Sequence, residues 1–363
     1  MKPRIKRLLN LALILGTLVI VIWISLKSHD LPSTLEVLRR LDLSSALPCI
    51  GGFFGFLLFE AISLKYFLFC RGYRITLLYA LYVTTVGQYY SAVTPGASGG
   101  QPMQIYHLHH RHVPLGVSTS AMITRFFSFQ FMLSVLSTAF WIAYGPFVRE
   151  QVGGGMWVLI VGYVYNIFTC TLVVTLSVYR RPVVWLAGLI VRIGTKLRLI
   201  KQPEETMEKW LKGVETFHES MQTIIRRPRE LMVHLLLGAV QLLSLMSVLW
   251  FVYVGLELNG HTWGQVVTMH LLEYISAAYT PLPGASGAQE AVFSIYFGKI
   301  FSGPSTLAGL LLWRFFTYYI AIIGGAVVVI VGGLREGRSL REMAQMGDTP
   351  PAMPDADAGN GGL

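Results

Sequence analysis

Charge is what this chain has least of. Only 13% of its 363 residues are charged while 53% are hydrophobic, against about a quarter charged in an ordinary soluble domain. That balance excludes a water-exposed globular surface. Apolar segments recur from Leu8 to Gly333 with no polar block large enough for a separate soluble domain, so the chain is a membrane protein with short tails. Cysteine is scarce too. Cys49, Cys70 and Cys170 all fall inside apolar segments without framework or metal-ligand spacing, which leaves them as packing residues. Catalytic signatures are missing: there is no GxSxG, Walker A, HExxH or pair of catalytic carboxylates. No enzyme of those types, no catalytic residue, no cofactor and no metal is therefore expected. The basic residues behind the net charge of +10 flank apolar segments and lack the aromatic interleaving and folded modules that read nucleic acid. Anionic lipid headgroups are the expected partner, not a nucleic acid.

A helix needs about 20 apolar residues to cross the hydrocarbon core. Six stretches qualify: 8–26, 46–69, 117–143, 154–178, 231–255 and 305–332. Two more, 75–93 and 262–279, run straight into nearly identical helix-breaking phrases, TPGASGGQ at 94–101 and LPGASGAQ at 282–289, which lie 188 residues apart. If both cross fully, the loop from Arg180 to Glu230, with 11 basic and 6 acidic residues, sits apart from the other basic clusters and breaks the positive-inside rule. If both enter, break and return, the clusters agree. The basic lead (Lys2, Arg4, Lys6, Arg7), Arg71 with Arg74, HLHHRH at 107–112, the 180–230 loop and Arg335–Arg341 then all face the cytoplasm. The expected fold is all-α: a polytopic membrane protein with about six full spans plus two re-entrant broken hairpins, eight membrane segments in all, and both termini cytoplasmic.

The second copy then runs opposite to the first. Regions 46–143 and 231–332 become inverted repeats joined by a connector span at 154–178, with a cytoplasmic lead and anchor at 1–26, a basic amphipathic loop at 180–230 and a disordered tail at 335–363. A second match supports the register: ArgPhePheSer at 125–128 begins 30 residues after Pro95, and ArgPhePheThr at 314–317 begins 31 after Pro283. Inverted repeats with helices broken near the midplane recur in transporters, because irregular backbone survives at membrane depth only inside protein or along a cavity.

In the phrases, Pro95, Gly96, Pro283 and Gly284 break the helix. Amides of Gly99, Gly100 and Gly287, with the side chains of Ser98, Gln101, Ser286 and Gln289, suit a phosphate at a new helix start. The plainer reading is close packing of small residues. Buried charges are few and informative. Arg125 and Arg314 match a phosphodiester, because a guanidinium offers fixed paired donors. Alternatively, Arg314 forms an internal pair with Glu290 or Glu273. Glu60 and Lys65, five apart, read as a local pair or a snorkelling lysine. HLHHRH reads as an interfacial basic loop, and 196–230 as a solvated amphipathic helix.

YYSAVTPGASGGQPMQIYHL followed by Arg125, and YTPLPGASGAQEAVF followed by Arg314, resemble the two signature regions of the lysylphosphatidylglycerol synthase transmembrane family, which includes the flippase half of the multiple peptide resistance factor. The resemblance covers roughly 10–335. It implies transbilayer movement of a polar lipid, an anionic phospholipid or a lipid-linked sugar, in a bacterial or archaeal cytoplasmic membrane. The substrate site expected from the phrases and buried charges comprises Arg125, Arg314, Ser98, Gly99, Gly100, Gln101, Ser286, Gly287, Gln289, Glu290 and Glu273. The chain ends at Leu363 without the family's aminoacyltransferase domain, so synthesis of the lipid is not expected. Two other readings stay open at this stage, a permease for a small soluble anion and a non-transporting scaffold of envelope assembly. A side gap between 117–143 and 305–332 would favour the lipid carrier over the permease, and a dry centre would favour the scaffold.

Overall fold

The computed structural model describes residues 43–196, 203–277, 280 and 283–332. The expected anchor at 8–26 and the tail at 335–363 lie outside the described residues. Among the described residues the structure is helical and contains no strand. In chain order the helices are α1 (Leu43–Cys70), α2 (Leu77–Val93), α3 (Gly100–His109), α4 (Leu115–Ala143), α5 (Gly145–Val152), α6 (Met156–Val178), α7 (Arg180–Lys196), α8 (Pro203–Arg226), α9 (Pro228–Gly255), α10 (Trp263–Ala277), α11 (Ala288–Phe301) and α12 (Pro304–Gly332). Starts follow local chemistry. The Thr76 hydroxyl accepts the Tyr79 N–H at 3.2 Å and opens α2, while Pro228 and Pro304 occupy first turns, where a missing N–H costs nothing.

Five stretches are long and apolar enough to cross a membrane: Ser45–Cys70, α4, the stretch Gly145–Val178 that holds α5 and α6, α9 and α12. α2 and α10 are different. At 17 and 15 residues they reach about 25 and 22 Å, short of the roughly 30 Å hydrocarbon core. α2 ends at its PGAS phrase and α10 five residues before Leu282, and a short helix, α3 or α11, packs back against each.

The largest helix contact joins α1 and α9. Cys49 and Gly52 lie against Val248, Ser63 shares a 2.9 Å hydrogen bond with His234, and Arg71 pairs with Glu230 at 2.8 Å. Partners step back along α9 as they step forward along α1, so the two helices run antiparallel. A Cβ on Gly52 would sit 3.0 Å from the Ser244 carbonyl; the small residue is what lets the backbones approach.

α8 corrects one expectation. Only its outer face is solvated, where Glu208 and Lys212 pair at 3.2 Å. Phe217, Met221 and Ile224 form a buried stripe at helical spacing. The Phe217 carbonyl accepts the Ser120 hydroxyl at 3.2 Å, which fastens α8 along the start of α4.

Candidate functional site

The two phrases fold alike. Gly96 has φ 58°, ψ 26° and Gly284 has φ 58°, ψ 21°; the following alanines, Ala97 and Ala285, also take positive φ, 54° and 49°. A left-handed alanine costs roughly 1–2 kcal/mol, so both turns are held by their surroundings. The two turns touch one another at the centre of the bundle. Ala92 and Val93 at the end of α2 pack with Tyr318 and Ile322 of α12, and the Tyr318 hydroxyl donates to the Ala92 carbonyl at 3.1 Å. Gly284 is required twice over: its φ is left-handed, and a Cβ there would meet the Tyr318 ring.

The turns differ in exposure. Pro95, Gly96, Ala97, Ser98 and Gln101 of the first are exposed, whereas in the second Ala285, Ser286 and Gln289 are buried, Gly284 is half-buried and Gly287 is exposed. Several amides are already satisfied within the turns. The Gly99 N–H donates to the Thr94 hydroxyl at 2.9 Å, the Ser98 N–H to the Pro95 carbonyl at 3.3 Å, and the Gly287 N–H to Glu290 Oε2 at 2.5 Å. These amides are therefore not free for a phosphate.

Each arginine has a carboxylate, recruited from a different place. Arg125 on α4 pairs with Glu60 on α1. Glu60 also accepts from Gln88 of α2 at 2.8 Å and from Gln104 of α3 at 3.4 Å, so four helices meet at one acid. The Glu60–Lys65 pair does not form. Five positions apart, the two point to different faces, Glu60 inward at 6% exposure and Lys65 outward. Arg314 on α12 donates Nε to Glu290 Oε1 at 2.7 Å and Nη1 to the Gly284 carbonyl at 3.0 Å, tying α12 to α11 and to the broken turn. Its Nη2 lies 2.6 Å from the same Glu290 oxygen, yet the N–H direction is unfavourable. That contact is better described as charge attraction than as a second hydrogen bond. A π turn, Phe315–Tyr319, follows Arg314 directly. Of the two acids expected for Arg314, Glu290 is the partner; Glu273 is fully buried and bonds to neither arginine.

Two adjoining cavities surround these pairs. The larger, about 630 Å³, is lined by Ser98, Gly100, Gln101 and Arg125 from the expected set. The smaller, about 190 Å³, is lined by Gly284, Gln289 and Arg314. Gly96, Ala97, Gln88, Ser91, Tyr274 and Thr280 belong to both walls, so the first turn forms the partition. Gly99, Ser286, Gly287, Glu290 and Glu273 line neither cavity. Motif reading misses four carboxamides in the larger wall: Gln88, Gln104, Gln130 and Gln241, from α2, α3, α4 and α9. The signal that finds them is an amide inside an apolar stretch, which needs a polar neighbour at membrane depth. Gly87 gives Gln104 its room, and a Cβ on Gly100 would lie 2.6 Å from the Gly87 carbonyl. Close crossing of α2 and α3 thus delivers Gln104 to Glu60.

The family described as Lysylphosphatidylglycerol synthase TM region matches residues 7–325. A UPF0104 membrane protein of Archaeoglobus fulgidus is 23% identical over 283 residues, covering 76% of this chain and 82% of that one.

Proposed function

Because the chain belongs to the lysylphosphatidylglycerol synthase TM region family, we propose that it moves a lipid with a phosphate-bearing polar headgroup across the membrane, holding the headgroup in the larger cavity while the acyl chains stay in the bilayer. The observation that carries this reading is the composition of that cavity: Arg125 with its partner Glu60, five carboxamides and the hydroxyls of Ser91, Ser98 and Thr280 around about 630 Å³. Carboxamides donate and accept without adding charge, which suits a polar headgroup, and a guanidinium suits its phosphate. Tyr165 lines the cavity from α6 and is 48% exposed. We place the tail's route beside α6, where this exposed side chain borders the cavity. A polar cavity bordered by an outward-facing side chain favours a lipid over a small soluble anion, and a roomy polar centre disfavours a scaffold.

Movement follows from an inverted-repeat arrangement, which we infer from the antiparallel α1 and α9 and the equal backbone of the two turns. Regions 46–143 and 231–332 are then the two halves, and α2–α3 and α10–α11 are re-entrant hairpins whose tips meet at mid-membrane. The exposed first turn and more buried second turn make this one of two end states, with access on the first turn's side.

The test is reconstitution. In proteoliposomes carrying headgroup-labelled anionic phospholipid, the folded protein is expected to expose inner-leaflet label to an impermeant quencher. Quenching confined to the outer leaflet, across several lipid classes, would overturn the reading.

A further inference from the structure

Glu273 has no role in the site described so far. It lies on α10, fully buried, and neither carboxyl oxygen has a hydrogen-bond partner among the described residues. An isolated carboxylate at membrane depth is strongly disfavoured, so the group rests there as a neutral acid. It is nevertheless close to charge: Arg314 of α12 and Glu290 of α11 both act on it electrostatically, and Tyr296 of α11 does so as a neutral phenol. Of the other helices packed on α10, α9 presents the Met246 carbonyl, and α4, α5 and α6 bring no charged group to bear on Glu273 among the described residues.

The smaller cavity borders α10 at His270. His270 stands one turn earlier on the same face. Its Nδ1 lies 2.9 Å from the Met246 carbonyl, and a carbonyl can only accept, so Nδ1 carries the hydrogen and Nε2 is the ring's proton acceptor. The ring lines the smaller cavity together with Arg314.

We propose that Glu273 is a proton-binding site that takes up one proton with each phosphate headgroup, coupling lipid movement to a proton gradient; this rests on the lipid-moving reading above. With Glu273 neutral, Arg314 and Glu290 cancel, and a phosphate monoanion held in the larger cavity faces a neighbouring centre with no excess negative charge. With Glu273 ionised, the same centre carries an extra negative charge and repels it. Phosphate and proton are therefore bound together and released together. On release the O–H bond of the carboxyl breaks, the electron pair stays on Glu273, and the proton passes to water entering from the smaller cavity. The new carboxylate then competes with Glu290 for Arg314, which loosens the bond from Arg314 to the Gly284 carbonyl and with it the second turn. Because a monoanion and a proton travel together, the step moves no net charge.

The experiment has two arms. In proteoliposomes with an imposed pH gradient, labelled anionic phospholipid is expected to accumulate in the leaflet facing the alkaline side, up to about tenfold per pH unit for one proton per lipid. A potassium diffusion potential alone should leave the distribution unchanged. Glu273→Gln, which mimics the neutral acid, should abolish the gradient response. A wild type that exchanges lipid but ignores the gradient, or a Glu273→Gln variant that still follows it, overturns the coupling. The second arm is infrared spectroscopy of the wild type against Glu273→Gln and Glu273→Asp, expected to show a protonated-carboxyl stretch lost in the first and shifted in the second. Absence of that band in the wild type overturns the proton site even if lipid moves. If no lipid moves but the band is present and Glu273-dependent, the lipid-moving reading fails and the proton site stands.

Discussion

Arg125→Gln is expected to slow headgroup movement about ten- to a hundredfold, since a desolvated charge-assisted contact to a phosphate contributes roughly 1.5–3 kcal/mol. Arg125→Lys should recover part of the rate, because it keeps the charge and loses the fork. The single change also strands Glu60, which is buried with only Gln88 and Gln104 left to bond it. Stability and transport must therefore be separated. The double variant Glu60→Gln/Arg125→Gln should regain most of the thermal stability lost by the single change, while its lipid movement stays slow. Recovery of both would assign Arg125 to packing alone.

The other large effect is expected on stability. Glu290→Gln removes the carboxylate that, alone among the described residues, bonds to Arg314, and weakens the acceptor of the Gly287 N–H at the start of α11. Breaking a buried pair by removing one partner costs about 3–5 kcal/mol, and loss of a helix-start acceptor adds about 1 kcal/mol. Unfolding of the purified protein in detergent should show a destabilisation of that order. Arg314→Gln should destabilise comparably, because it also frees the Gly284 carbonyl in the broken turn. The double variant should return only part of the stability, since Gly284 remains without its donor, and should not return lipid movement. Full return of both would make Arg314 structural and leave Arg125 as the sole phosphate ligand.

How much of this was legible from residues follows from the range of the interactions. The five described spans are readable because an apolar run is a local property. The breaks at 94–101 and 282–289 are readable because proline and glycine act on their own backbone, and the repeat gives the same φ and ψ in both copies. Arg314 with Glu290 is within reach because the pair closes over a short loop, 24 residues apart. Glu60 with Arg125 is not: the partners stand 65 residues apart on helices whose facing is set by the docking of α1 on α9. Spacing pointed instead to Lys65, which the helix turns away. The asymmetry is hidden for a related reason. Both copies place an arginine after the turn, but its carboxylate comes from the preceding span in one half and from the following short helix in the other, so the repeat constrains the cation and not its anion. The buried face of α8 has a legible stripe, but nothing local says that α4 covers it. The carboxamide wall is drawn from four helices, and only assembly makes it a cavity.

The central claim is that a lipid headgroup occupies the larger cavity beside Arg125. The most direct measurement is photo-crosslinking in proteoliposomes with an anionic phospholipid carrying a photoreactive group on its headgroup, followed by mapping of the modified peptides. The account predicts adducts on 98–104 and 122–130, competed by unlabelled anionic lipid and reduced in Arg125→Gln. Adducts confined to outward-facing positions such as Ile142, Ile160 and Phe168, unaffected by Arg125→Gln, would contradict it.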